Sequence, residues 1–160
     1  MNEIYPKLVE SHGVFIITPV YWYQSPSGLK LLIDRLVCAN GGNPDPTSTH
    51  GKKADEAKRI EADGWDYPQH LAKRIFGCFV HGDAAGANEV KNALVNWAED
   101  LEMIPASTRS QLARYIGYYE PYYSSHATLD KDDAPKDEVR MIARSMALTI
   151  NAQLNQPTEF

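Results

Sequence analysis

The stretch that decides the fold is Gly13-Val14-Phe15-Ile16-Ile17-Thr18, an apolar, β-branched run bounded by turn-forming residues. It is short and lacks alternation between apolar and polar residues. That pattern is typical of a strand covered on both faces, as in a parallel sheet. Ile75-Phe76-Gly77-Cys78-Phe79-Val80 repeats the pattern, and Met103 to Ala106 predicts a weaker third strand.

Helical patterns alternate with these strands. Apolar spacing predicts a short helix over residues 3–11 and a second over about 26–38. Two later helices carry these apolar positions: Val90, Ala93, Leu94, Trp97 and Leu101, then Val139, Ile142, Ala143, Met146, Ala147 and Ile150. The order predicts an α/β fold with about three strands, a three-layer sandwich in which helices cover both faces of a parallel sheet.

The chain has 160 residues, which is enough for one domain, and we assign residues 1–160 to it. Residues 39–72 are predicted to be a long polar insertion, with a charged and helix-compatible piece near 53–62. Residues 107–135 are predicted to be a long, tyrosine-rich connection.

Composition and charge argue against several classes of function. The net charge of -5 and the pI near 5.5 disfavour a nucleic-acid binder, whose binding face is basic. No apolar run approaches the roughly 20 residues that span a bilayer, and the N-terminus lacks the layout of a secretory signal. Cys38 and Cys78 form no CxxC pair, and the histidines lack metal-ligand spacing. We therefore expect buried free thiols, no metal and a cytoplasmic protein.

Two loops follow the two strongest strands. The first runs Thr18-Pro19-Val20-Tyr21-Trp22-Tyr23-Gln24-Ser25, and the second runs His81-Gly82-Asp83-Ala84-Ala85-Gly86. Ligands of open α/β sheets bind beyond the carboxyl ends of the strands, where both loops are expected. The aromatic side chains offer stacking area, and the glycines allow close approach of the backbone.

These loops carry a resemblance to a known family. Residues 18–30, with Lys30, and the following Ile33-Asp34-Arg35 resemble the loop-and-helix signature of NAD(P)H-dependent FMN reductases, T-P-x-Y and then P-x-x-L-K with an acidic residue. The loop at 81–86 resembles their glycine-containing loop. The resemblance extends more weakly through residues 114–119 and 125–126.

The resemblance implies a flavodoxin-like fold and a flavoprotein oxidoreductase. Hydride would pass from NADPH or NADH through FMN to a small acceptor such as a quinone or a flavin. The cofactor supplies the hydride chemistry, so no catalytic acid–base pair is required of the chain. The cofactor-binding residues it implies are Thr18, Pro19, Val20, Tyr21, Trp22, Tyr23, His81, Gly82, Asp83 and Gly86, and the substrate-binding residues are Tyr118, Tyr119 and His126.

Other interpretations of the same residues stay open. The aromatic residues of the first loop also fit a core or an interface, the glycines also fit ordinary turns, and His81 also fits a helix cap. The tyrosines between 115 and 123 fit a substrate pocket and a dimer contact equally well. Lys30, Asp34 and Arg35 are expected to form surface ion pairs.

One departure from the family pattern has consequences for binding and association. Family members begin with a strand and a phosphate-cradling loop, and no equivalent precedes Gly13. We therefore expect an N-terminally truncated domain that binds FMN weakly. The strand at Gly13–Thr18 then has an open edge, which invites pairing. Either the chain is a fragment or a second chain supplies the edge. The alternative to an enzyme is a non-catalytic domain that associates there, and we expect a homo-oligomer.

Overall fold

The computed structural model describes residues 3–36, 55, 59, 69–117 and 120–155. Strands and helices alternate over the first two thirds of the chain, and the last third is mainly helical. In chain order the elements are α1 (Ile4–Glu10), β1 (Gly13–Pro19), α2 (Ser27–Arg35), β2 (Ile75–Gly82), α3 (Ala87–Asp100), β3 (Ile104–Pro105), β4 (Gln111–Tyr115), α4 (Tyr122–Leu129) and α5 (Asp133–Leu154).

The strands form a parallel sheet with β2 at its centre. β1 lies along one side of β2 in a register that runs from Gly13 opposite Ile75 to Pro19 opposite His81. β3 and β4 both pair with β2, β3 with its start and β4 with the residues from Cys78 onward. Since β1 occupies one side of β2 over its length, β3 and β4 share the other side. The predicted parallel α/β fold is confirmed.

The predicted third strand is wrong in its extent. Only Ile104–Pro105 pairs in that region, and the same side of β2 is then completed by β4, within the connection predicted at 107–135. A turn separates the two pieces, in which Ser110 N–H donates to the Ser107 carbonyl at 3.1 Å. The chain rejoins the sheet where Cys78 N–H donates to the Ser110 carbonyl at 2.8 Å. The sequence hides β4 because Gln111 and Arg114 interrupt any apolar run.

The same connection also contains a helix that the sequence does not predict. α4 covers Tyr122–Leu129, a segment of tyrosines, serines and threonine that carries almost no apolar stripe. It begins directly after Pro121, whose position suits a helix start. Residues 118 and 119, which hold two predicted substrate-binding tyrosines, lie outside the described residues. Cys38 and most of the predicted insertion at 39–72 also lie outside the described residues. Two residues of that insertion, 55 and 59, are described and are helical.

Helices cover both faces of the sheet, as predicted. Even-numbered residues of β2 face α1, α2 and α3, and the buried cluster there includes Phe76, Cys78 and Val80 together with Leu94. Odd-numbered residues face α5, and Ile75 and Phe79 pack there against Ile142 and Met146 of that helix. The period of two along a strand thus divides the core into two layers.

Candidate functional site

The loop after β1 closes into a tight turn that presents aromatic side chains. Tyr21 N–H donates to the Gln24 carbonyl at 2.8 Å, and Gln24 N–H donates back to the Tyr21 carbonyl at 3.1 Å. Between them Trp22 (φ 45°) and Tyr23 (φ 67°) both lie in the left-handed region. Bulky residues rarely adopt that conformation, so this turn, residues 21–24, stores backbone strain. We call it the aromatic turn.

The loop after β2 holds the aromatic turn in place. Tyr23 N–H donates to the Ala85 carbonyl at 2.9 Å. Gly86 has φ 103°, and a Cβ built on it would lie 2.3 Å from the Tyr23 Cα. Any side chain at Gly86 would therefore drive the two loops apart. This contact gives Gly86 a specific structural role that an ordinary turn glycine lacks.

A second contact joins the two loops closer to the sheet, where β1 and β2 end. Val20 N–H donates to the His81 carbonyl at 2.8 Å. Gly82 has φ 154°, and a Cβ there would lie 2.9 Å from Val20 Cγ1. The two loops thus meet at the carboxyl edge of the sheet, where their sequence positions placed them.

The aromatic side chains of the turn point outward. Tyr21, Trp22 and Tyr23 are 62%, 77% and 49% exposed, and the Trp22 and Tyr23 rings meet edge to face with centroids 5.9 Å apart. Exposed aromatic surface at a strained turn is a feature that binding sites use. Neither the hydrophobic core nor a described helix accounts for these rings, so the core interpretation of the sequence is wrong here.

Other predicted cofactor-binding residues support the loops from below or border them. Thr18 and Val20 are buried at the end of β1, directly before the aromatic turn. Pro19 is half-buried and ends β1, and Asp83 is exposed in the second loop. Whether any of them touches a cofactor stays a prediction.

His81 lies on the opposite face of the sheet from the core contacts of Val20 and Gly82. As an odd-numbered residue of β2 it faces α5, with its ring stacked on Phe79 at a centroid distance of 5.8 Å. Burial lowers the pKa of its imidazole. The ring helps to line an apolar depression of about 380 Å³ under the carboxyl edge, formed by Ile17, Phe79, His81, Ile116, Pro135, Lys136, Val139 and Arg140. His81 caps none of the described helices.

A second cavity lies beside the aromatic turn, between α2 and α3. Its volume is about 280 Å³, and its wall includes Tyr23, Lys30, Glu89 and Trp97. The sequence assigns Trp97 to a core face and gives no sign of a cavity, because the cavity depends on how two distant helices lean together. Lys30 is ion-paired with Asp34, so the predicted surface pair is confirmed.

The region after β4 reaches the same edge of the sheet. Ile116 N–H donates to the Gly82 carbonyl at 2.9 Å, so the chain leaves the sheet beside the second loop. Residues 118 and 119 follow there, outside the described part of the chain. His126 is exposed on α4, and its role in substrate binding stays a prediction.

Two further searches of the described residues bear on the class of site. No group of three or more histidines, cysteines or acidic residues in this part of the chain is arranged to hold a metal ion. None of the described helices has the length and apolar character needed to cross a bilayer. Cys78 is a buried free thiol, as predicted.

The fold and the paired loops define a flavodoxin-like α/β domain with a crevice at its carboxyl edge. The chain belongs to the NADPH-dependent FMN reductase family, whose model matches residues 1–115, including both loops. Members of this family are FMN-dependent NAD(P)H oxidoreductases. A search of the curated proteins finds no match. Among solved structures, a protein (NADPH-quinone reductase) from P. pentosaceus is similar, with a TM-score of 0.40 and 14% identity over 98% of this chain and 75% of that one.

Proposed function

We propose that this chain binds FMN at the two loops and transfers hydride from NADPH or NADH through the flavin to a small acceptor of the quinone or flavin type. The observation that supports the proposal is the contact between the aromatic turn and the loop after β2. That contact fixes exposed aromatic rings at one edge of the sheet. Membership of the family supports the use of FMN and of a nicotinamide donor.

The residues present fit a flavin ring. An isoalloxazine is planar and polarizable, so the exposed rings of Tyr21, Trp22 and Tyr23 offer it stacking area. Gly82 and Gly86 carry no side chains, which lets the second loop pack closely against the first and hold the exposed rings at this edge. The first turn of α3 adds backbone N–H groups that have no partner within the helix.

The chain contributes positioning and shielding rather than acid–base chemistry. When bound, FMN supplies the acceptance and donation of hydride. The strained turn holds its rings in one geometry, so little ordering remains to be done when the ligand binds. Once a flavin is bound, the rings of Tyr21, Trp22 and Tyr23 would shield it from water where they stack on it.

The direct test is a titration of the purified chain with FMN, followed by assays of turnover. We expect flavin fluorescence to be quenched on binding and NADPH oxidation to appear when FMN and menadione are both present. Running the assay with NADH, and with riboflavin as acceptor, defines the donor and the acceptor class. Absence of both quenching and oxidation at about tens of micromolar flavin, a weak-site concentration, contradicts catalysis by this chain.

Gly86→Ala tests the contact that carries the proposal. The new methyl group must displace the backbone of Tyr23 and adopt an unfavourable φ, so we expect the aromatic turn to move away from the second loop. The flavin dissociation constant should rise by about tenfold or more, which corresponds to about 1.4 kcal/mol of lost binding. The measurement is the same fluorescence titration, with circular dichroism to establish folding.

Gly28→Ala is the matched control for that change. Gly28 lies in α2, and a Cβ there meets no atom within 4 Å. Alanine also favours helix over glycine, by up to about 1 kcal/mol. This variant should fold at least as stably as the parent and bind flavin equally well. Equal loss of flavin binding in both variants would contradict a specific role for Gly86.

A non-catalytic domain that associates through its sheet edge is the second candidate. The observation that favours it is the exposure of Ile17 on β1, which is 52% exposed within an otherwise apolar strand. Flavin quenching and NADPH oxidation separate the two candidates, since a purely associating domain shows neither. We also propose that the chain forms a homo-oligomer and works in the cytoplasm, where the buried Cys78 would stay reduced.

A further inference from the structure

Within the described part of the chain, no strand pairs with the outer edge of β1. Ile75 N–H donates to the His12 carbonyl at 3.0 Å, and Val20 N–H donates to the His81 carbonyl at 2.8 Å. Both bonds involve even-numbered residues on the β1 side. In a parallel sheet, the N–H and C=O groups of successive residues point to opposite sides of the strand, so every second residue bonds to the same neighbouring strand. The N–H and C=O groups of Gly13, Phe15 and Ile17 therefore point away from β2, and no other described strand pairs with β1.

Nothing in the composition of β1 protects this edge. The strand Gly-Val-Phe-Ile-Ile-Thr-Pro contains no charged residue, and its proline is at the last position. Edge strands of monomeric proteins usually carry a charge, a proline or a bulge that prevents pairing with another chain. An uncharged edge of this length is suited to accept another strand.

We propose that β1 pairs antiparallel with β1 of a second copy of this chain, about a two-fold axis at Phe15, so that two four-stranded sheets join into one. In that register Phe15 faces its own equivalent, and Gly13 faces Ile17 in both directions. Each of these pairs exchanges two N–H···O bonds, which uses every outward N–H of the strand. A shift by two residues toward Pro19 would bring a residue without an N–H into the pairing.

Side chains on the α5 face fit the same register. The exposed Ile17 of one copy would lie over Gly13 of the other, which has no side chain of its own. The space above Gly13 is already filled from within each copy, since a Cβ built there would lie 2.7 Å from the Ile75 carbonyl oxygen and 3.2 Å from Ile150 Cδ1. Ile17 of the partner copy would therefore pack on Ile75 and Ile150 rather than enter a space beside the glycine. An isologous contact of this kind closes on itself, because it uses the β1 edge of both copies.

The test is the mass of the full chain in solution, measured by light scattering across the micromolar range without flavin or NADPH. We expect a particle of twice the 17.9 kDa chain. Ile17→Lys places an unpaired charge on the shared edge and should give a monomer, with a dissociation constant raised by at least about tenfold, the usual effect of a buried unpaired charge at an interface. Leu148→Lys is the control, because Leu148 is 71% exposed on α5 and should leave the dimer intact.

Residue-resolved amide exchange checks the register. In the parent, the N–H groups of Phe15 and Ile17 should be as protected as those of Val14 and Ile16. In Ile17→Lys only the even-numbered pair, which bonds to β2, should keep its protection, and that also shows that the variant is folded. A monomeric parent, a dimer that survives Ile17→Lys, or a dimer lost in Leu148→Lys would overturn the proposal. None of these outcomes depends on flavin binding, so each is separate from failure of the proposed enzyme activity.

Discussion

β1 and β2 are neighbouring strands with similar sequences and opposite surroundings. Both are apolar and rich in β-branched or aromatic residues, and they pair over seven residues from Gly13 opposite Ile75 onward. All six residues from Ile75 to Val80 are buried, whereas Thr18 is the single residue of β1 that is buried. β2 has strands on both sides, and α3 and α5 pack against its two faces.

The difference shows that the composition of a strand does not fix its position in the sheet. An apolar run predicts that a segment is a strand, but its burial depends on neighbours that are distant in sequence. The same applies to the loops that follow the two strands. The strain in the aromatic turn after β1 is maintained from outside, by the contact with Gly86 after β2.

The largest expected loss of stability comes from shortening a side chain in β2, compared with the residue opposite it in β1. Phe79 and Ile17 lie opposite each other. Phe79→Ala should lower the free energy of unfolding by about 3–5 kcal/mol, because it removes a buried aromatic ring that packs beneath α5. Ile17→Ala should cost less than about 1 kcal/mol, since half of that side chain already contacts solvent. Urea denaturation, at a chain concentration where light scattering gives a monomer, measures both losses, and equal losses would contradict the contrast.

Much of this architecture could be predicted from the sequence, for identifiable reasons. Uninterrupted apolar runs marked β1 and β2 to within two residues, and helical spacing marked α3 and α5. The meeting of the two loops followed from a rule of parallel sheets, namely that carboxyl ends share one edge.

What the sequence did not reveal depends on contacts between distant segments. β4 carries glutamine and arginine on a side strand, so it lacks the apolar signature of β2. The strain at Trp22 and Tyr23 and the placement of His81 on the α5 face both depend on register. The cavity between α2 and α3 depends on the packing of two helices separated by more than 50 residues of sequence.

A second test of the contrast uses the thiol at the centre of β2. Cys78 faces the layer of α2 and α3 and is fully buried, while its partner Ile16 on β1 is only partly so. Burial raises the pKa of Cys78 to about 11, from an ordinary value of 9.0. The folded chain therefore holds this proton more tightly than the unfolded chain. Stability should be lost as the pH rises from about 9 to about 11, by up to about 2–3 kcal/mol.

Urea denaturation across that pH range measures this loss, with Cys78→Ala as the comparison. The alanine variant should start less stable because of its cavity but should decline less steeply with pH. In a Cys38→Ser background, the native protein should also resist thiol reagents at pH 8 and react on unfolding, because only the thiolate is nucleophilic. Rapid native labelling would show that the centre of β2 is more open than its burial indicates.

The smallest effect is expected at His81, where β2 emerges from the core opposite Pro19 of β1. Burial lowers the pKa of the imidazole, so the folded chain binds this proton less readily than the unfolded chain. Its contribution to stability is present above the unfolded pKa of about 6.5 and is lost as the pH falls through the folded value. Protonation would also add a cation to an apolar depression whose rim already carries Lys136 and Arg140.

An NMR titration of the His81 ring tests this directly, and the midpoint should fall below the usual value for histidine. His81→Gln removes the titrating group and keeps a polar side chain of similar length, so its stability should vary less with pH between neutrality and the acid limb of unfolding. A midpoint at or above the usual value would mean that the carboxyl end of β2 is as open to water as the edge of β1. The burial contrast would then be confined to the middle of the two strands, and His81 would be free to ionise beside the crevice.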